Sequence, residues 1–254
     1  MLTCEAVTKA YGGLVAVRNV TFTVRPGEVF AIVGPNGAGK TTLFDSMSGI
    51  APASSGVIRF DGREIQRLRP HQICQLGIAR TFQTTTFFGS QTTLANALVG
   101  SIFGRLGARV TLQFRPQAVD NALDALALCG LLDKQSALAS TLSVFERKRL
   151  MLATALAGQP KLLLLDEPVG GLSRAERDEM IDLVRKVNRN GVTVLLIEHV
   201  MKAVQALSSQ MLVLHHGEKI AEGPPADVLR DERVVSVYLG TRREERATPS
   251  RTGG

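Results

Sequence analysis

The chain has 254 residues, 44% apolar and 5% aromatic, enough to bury a sizeable core in one large domain or in a core with an inserted subdomain. Its net charge of +7 is spread thinly, with no block of Lys/Arg and no Arg/aromatic interleaving to mark a nucleic-acid partner; the mild excess suits an anionic nucleotide or membrane surface as well as it suits nucleic acid, so charge does not decide. Cys4, Cys74 and Cys129 are too few and too far apart for a metal site or disulfide framework, so three buried free thiols in a reducing compartment are expected. The first residues lack the basic-then-apolar order of a signal peptide, and no apolar run approaches the ~18 residues of a membrane span, which predicts a cytoplasmic chain.

From the N-terminus, Val17, Val20, Phe22 and Val24 alternate in strand fashion, with turns at Gly12-Gly13 and Pro26-Gly27. Val29 to Val33 is a short apolar run, the pattern of a buried parallel strand. It runs into Gly34-Pro35-Asn36-Gly37-Ala38-Gly39-Lys40-Thr41, a complete phosphate-binding loop, and Thr42-Leu43-Phe44 continues as a helix. Strand, glycine-rich turn and helix N-terminus together make an anion site: backbone N–H groups and the helix dipole meet the phosphates, and glycines allow the required angles. Lys40 is then expected to reach the β- and γ-phosphates and Thr41 to ligate Mg²⁺. These residues predict binding of a nucleoside triphosphate.

Val57 to Phe60 followed by Asp61-Gly62 reads as a strand and hairpin turn. Ile78 to Arg80 leads to Gln83, an amide able to donate and accept near the γ-phosphate and Mg²⁺. Over about 84–158 the texture becomes helical, with Leu94, Ala97, Leu98 and Ile102, then Val119, Leu123, Leu126 and Leu131. Within it, Ser143 and Glu146 form a capping box ahead of an amphipathic helix, which still leaves a helix N-terminus for a phosphate. Strand texture returns at 161–166, 192–198 and 211–215, and helical pattern fills 173–190 and 200–208. The strand at 161–166 delivers Asp166 and Glu167 to its C-terminal end, where α/β sheets place ligands. Asp166 suits Mg²⁺ and Glu167 a general base that polarises the attacking water. Ile197-Glu198-His199 sets an imidazole at another strand end. The organisation is an α/β, P-loop NTPase (RecA-like) core with N-terminal antiparallel strands and an inserted helical subdomain, spanning 1–240. The polar tail at 241–254, with four arginines against two glutamates, is expected to be disordered.

In this order and spacing the motifs resemble the ATP-binding subunits of ABC transporters, over nearly the whole chain up to residue 240. The resemblance implies ATP and Mg²⁺ as ligands, with Tyr11 stacking on adenine, Gly34 to Thr42 as Walker A and Gln83 as the Q-loop. It further implies Asp166 and Glu167 as the Walker B end, Gly171-Leu172-Ser173 as the D-loop and His199 as the switch histidine. Gly77 to Gln83, Ile197 to Val204 and Val237 to Gly240 are similar to importers of branched-chain amino acids, with urea and short-amide importers as relatives. Such a subunit acts on the inner face of the cell membrane with transmembrane permease subunits, a second ATPase chain (the same or different) and, indirectly, an extracellular or periplasmic binding protein. The segment Thr84 to Phe88 falls where a permease docks, although its aromatic pair also suits a helical core. The departure lies in Leu142-Ser143-Val144-Phe145-Glu146, which occupies the signature Leu-Ser-Gly-Gly-Gln: both glycines, which in the family let the backbone approach the opposite subunit's ATP, are replaced. Ser173 also stands where the D-loop has Asp. A soluble ABC ATPase serving an iron–sulfur scaffold is an alternative of the same length, and a phosphate-loop kinase is disfavoured because Glu167, Gln83 and His199 together suit water as acceptor.

Overall fold

The computed structural model describes residues 1–81, 87–104 and 116–238. The alternating N-terminal segment folds as an antiparallel pair, β1 (Leu2–Tyr11) and β2 (Leu14–Val24), joined at Gly12-Gly13. The apolar run that follows is β3 (Val29–Val33), buried at every position, and it feeds α1 (Lys40–Met47). Next come β4 (Ser55–Phe60), β5 (Arg63–Glu64), α2 (Pro70–Gln75) and β6 (Ile78–Arg80). The helical block contains α3 (Thr93–Phe103), α4 (Pro116–Leu128) and α5 (Val144–Ala157). Strand and helix then alternate through β7 (Leu162–Asp166), α6 (Arg174–Arg189), β8 (Thr193–Ile197), α7 (Met201–Leu207), β9 (Gln210–His215), β10 (Glu218–Gly223) and α8 (Pro225–Val228).

Two sheets result, one ordered β2-β1-β4-β5 and one ordered β10-β9-β3-β8-β7-β6. The second is parallel from β9 to β6, and β10 closes its edge as an antiparallel hairpin strand. Its central strands are apolar without interruption because both faces are covered. The two-residue period of a strand divides them between two cores. Ala31, Leu163, Leu165, Val194, Leu196 and Val213 pack toward α3 to α7. Phe30, Ile32, Leu162, Leu164, Leu195 and Leu212 pack toward α1 and the antiparallel sheet. The expected α/β core with N-terminal antiparallel strands is present.

In the helical block, α4 turns Ala118, Asn121, Ala122, Ala125 and Leu126 inward, and α3 turns Thr93, Asn96, Ala97 and Ser101, while Val119 and Leu123 are only half-buried. Most of these inward residues are small, and α3 and α5 lie close. A Cβ on Gly100 of α3 would stand 1.7 Å from the Thr154 carbonyl oxygen of α5, so only glycine fits that crossing. Cys4 and Cys129 are buried and burial pushes the Cys129 thiol up to about 12, whereas Cys74 is only half-buried. The expectation of three buried thiols is therefore corrected at Cys74, which lies in the short helix α2. Among the described residues no helix is long and apolar enough to cross a membrane. The tail expected to be disordered, 241–254, lies outside the described residues.

Candidate functional site

The strand order brings β3, β8 and β7 side by side, so the residues that follow each meet at one edge of the sheet. Beyond β3 the chain turns through Gly34, at φ 150°, whose missing Cβ would otherwise meet the Leu214 carbonyl oxygen at 2.1 Å. Pro35, Asn36 and Gly37 arch outward, and the Ala38 N–H donates to the Pro35 carbonyl at 3.2 Å. Gly39, at φ 96°, caps α1; there the missing Cβ leaves room for the Ala16 carbonyl oxygen, 2.4 Å from where it would sit. Glycine is thus dictated at both ends by close backbone approach as well as by φ. Lys40 opens α1, buried, with its ammonium donating to the carbonyls of Gly34 at 2.7 Å and Pro35 at 2.8 Å across the loop. Burial lowers its pKa, against the opposing pull of the Glu167 and Asp166 carboxylates. Thr41 is exposed and Thr42 half-buried in the first turn of α1.

Asp166 ends β7, nearly buried, with its carboxylate 3.3 Å from the Arg80 guanidinium. Arg80, at the end of β6, also holds Asp45 of α1 at 2.7 Å and Ser48 at 2.9 Å. Burial raises the Asp166 pKa and the Arg80 charge offsets it. Arg80 therefore ties the helix after the phosphate loop to the acidic strand end.

Glu167 adopts φ 50°, a left-handed conformation that costs a non-glycine residue of order 1–3 kcal/mol. Its carboxylate lies 3.6 Å from Nδ1 of the half-exposed His199 side chain. Its N–H donates to the Ile197 carbonyl at 3.0 Å, and its carbonyl accepts from the Lys148 ammonium at 3.0 Å and from the Gly170 N–H at 3.1 Å. Glu198 is fully buried and accepts three backbone N–H bonds: from Val169 at 3.1 Å and from His199 and Val200 at 3.0 Å each. Sequence reasoning assigned no role to Glu198, Lys148 or Arg80. For Glu198 the signal was available, a carboxylate directly after the buried run of β8; Lys148 sits among basic neighbours and carries no distinguishing spacing.

Lys40, Asp166, Glu167 and His199 are thus brought together at one edge. Tyr11 belongs to the other sheet, at the tip of β1, exposed with the Lys9 ammonium 4.8 Å from its ring centroid. Gln83 lies outside the described residues, as do Thr84 to Thr86. Phe87 is half-buried under the Arg147 guanidinium, which stands 5.4 Å from its ring, while Phe88 is 60% exposed. The aromatic pair therefore divides, one side chain packing against the helical core and one facing out.

Ser143 heads α5 in the expected capping box: its hydroxyl accepts from the Glu146 N–H at 3.2 Å, and Glu146 accepts from the Ser143 N–H at 2.9 Å. Of the two side chains that replace the signature glycines, Val144 is the exposed one, at 60%. Phe145 turns into the core, with the Arg149 guanidinium 4.0 Å from its ring. Ser173 heads α6 with the same box, paired with Glu176.

Comparison with known proteins agrees with this geometry. A family model described as ABC transporter matches residues 17–170, and one described as branched-chain amino acid ATP-binding cassette transporter matches residues 218–244. The high-affinity branched-chain amino acid transport ATP-binding protein LivG of Salmonella typhimurium is 34% identical, covering 94% of this chain and 98% of its own length. The BraF protein of Pseudomonas aeruginosa, of the same description, is also 34% identical over 94% and 98%. A solved ATP-binding cassette of an ABC transporter in its ADP conformation superposes with a TM-score of 0.86 at 30% identity, covering 94% of this chain and 98% of that one.

Proposed function

Because the chain belongs to the ABC transporter family, we propose that it is the ATP-hydrolysing subunit of an importer of branched-chain or related amino acids, acting at the inner face of the membrane on a separate permease. The observation that carries this reading is the convergence of Lys40, Asp166, Glu167 and His199 at one sheet edge beside a glycine-built loop. Each has a role its surroundings suit. The ammonium of Lys40 exchanges the Gly34 and Pro35 carbonyls for β- and γ-phosphate oxygens, supported by the N-terminus of α1. The Thr41 hydroxyl and the Asp166 carboxylate are hard oxygen donors that fit Mg²⁺, which would neutralise phosphate charge there; Gln83 joins this set by its place in the sequence. Glu167 takes the role of general base toward water, its carboxylate oriented by its strained backbone and by His199. Tyr11 offers an exposed ring for adenine. Ser143, at the N-terminus of α5, would meet the ATP of a second ATPase chain in a face-to-face dimer.

The test uses the chain with its permease. Lys40→Ala is expected to abolish tight ATP binding, measured by equilibrium dialysis, while membrane retention through the permease persists. Wild-type ATP affinity in the folded variant overturns the assignment of the loop. A chain that binds ATP normally but never co-purifies with the permease overturns the transport reading and favours a soluble ATPase.

A further inference from the structure

The backbone of Glu167 is anchored on both sides. A left-handed φ points its Cβ in a direction the chain would not choose, so that direction persists only where the peptide on each side is anchored. On one side its N–H bonds the Ile197 carbonyl at the end of β8. On the other its carbonyl receives the Lys148 ammonium, which crosses from the second turn of α5 to the end of β7. Burial lowers the Lys148 pKa, and the Glu198 and Glu167 carboxylates oppose that shift without cancelling it. Glu198, in turn, fixes the N–H groups of Val169, His199 and Val200, so the turn after β7 and the turn after β8 share one buried anion. The Lys148 ammonium thus links α5 directly to the strand end that carries Glu167.

We infer that Lys148 is a positioning residue for hydrolysis, tying the aim of the Glu167 carboxylate to the seating of α5. It touches neither nucleotide nor attacking water and acts through the peptide that orients Glu167. Because α5 begins at Ser143, a shift at that helix N-terminus is carried along a rigid helix to Lys148, and from there to Glu167. The inference rests on the role proposed for Glu167. It adds that the strength of the base position depends on a cation outside every motif that the sequence displays.

The test compares Lys148→Met, Lys148→Gln and Lys148→Arg in the complete permease complex. A misaim of about 1 Å is expected to lower kcat ~10²-fold in Lys148→Met. ATP affinity and KM should stay within about twofold, since the phosphate loop is untouched, and Lys148→Arg should recover most of the rate. Hydrogen exchange supplies a readout independent of turnover: the Gly170 and Val169 amides should exchange faster in Lys148→Met, with those of Leu152 to Leu156 unchanged. If Lys148→Met misfolds, Lys148→Gln carries the comparison, because it removes the charge and shortens the reach by one atom while keeping a polar, neutral side chain. Unchanged kcat in a folded Met or Gln variant overturns the inference. So does a joint loss of affinity, melting temperature and rate that Arg does not relieve, which marks Lys148 as a packing residue only. Glu167→Gln is run alongside: if it keeps wild-type hydrolysis, the assignment of the base has failed, and if it is silent while Lys148→Met is fully active, only the positioning role has.

Discussion

The end of the parallel sheet and the N-terminus of α5 are both candidates to meet nucleotide, and they are built on different principles. At the sheet edge, function depends on side-chain identity. Lys40, Asp166 and Glu167 carry the charges, and the backbone that aims them admits only glycine at Gly34 and Gly39. At α5 the useful elements are a helix dipole, a serine cap and free N–H groups, none of which requires the family's glycines. The first region keeps the whole motif; the second departs at three positions and still forms a regular helix start. The difference teaches that a backbone-built helix start tolerates substitution where the new side chain turns inward, as Phe145 does, and leaves Val144 as the exposed replacement to be tested.

The largest effect that sharpens this contrast comes from removing the base. Glu167→Gln is expected to lower hydrolysis by ~10²–10⁴ while ATP remains bound. In a complex pairing this chain with a different ATPase of unaltered signature, the equivalent substitution in the partner should cost little, because the partner's site faces Val144. Loss of one transition-state donor removes ~10²–10³ in rate, or about 2.7–4 kcal/mol, which is enough to leave that site as a binder. Transport-coupled ATPase measured with each glutamate replaced in turn decides the matter; equal losses, or robust turnover by two copies of this chain alone, break the comparison.

A smaller effect separates capping from nucleotide contact. Ser143→Ala and Ser173→Ala each remove a hydroxyl that accepts a helix N–H, and each should cost about 1 kcal/mol of stability in a thermal melt. Only Ser143→Ala is expected to weaken ATP binding at the partner's site as well. Equal ATP binding for the two would reduce the start of α5 to a structural cap.

The smallest effect is one of pH. Lys134 first, then the Ser143 N–H, holds the Glu146 carboxyl below its usual 4.5. A depressed folded-state pKa means that the stabilisation is complete above about 4.5 and is lost as pH falls through the folded value. Lys134→Met should therefore melt slightly below wild type at pH 7, and the gap should close as pH falls through the folded value. A gap that widens on acidification contradicts the assignment.

Much of the nucleotide edge was legible because its chemistry is contiguous. A buried strand, a glycine turn and a lysine sit within twelve residues of sequence, from Val29 to Lys40, and two carboxylates follow four leucines. The less legible parts depend on contacts between distant segments. Nothing near Arg80 announces that it will join Asp45 to Asp166, and nothing near Lys148 announces the Glu167 carbonyl. Phe145 read as an obstruction because its direction is set by tertiary packing, which no local pattern contains. β10 escaped notice since an edge strand such as Glu218–Gly223 lacks the apolar run, and α2 is too short to display a helical period.

The contact between Gly100 and Thr154 has a mechanical consequence. Where two helix backbones touch, no side chain lies between them to absorb a relative movement, so α3 and α5 are directly coupled at this crossing. The crossing works as a welded joint in a lever whose far arm ends at Ser143, and a single methyl group, as in Gly100→Ala, is enough to wedge it open.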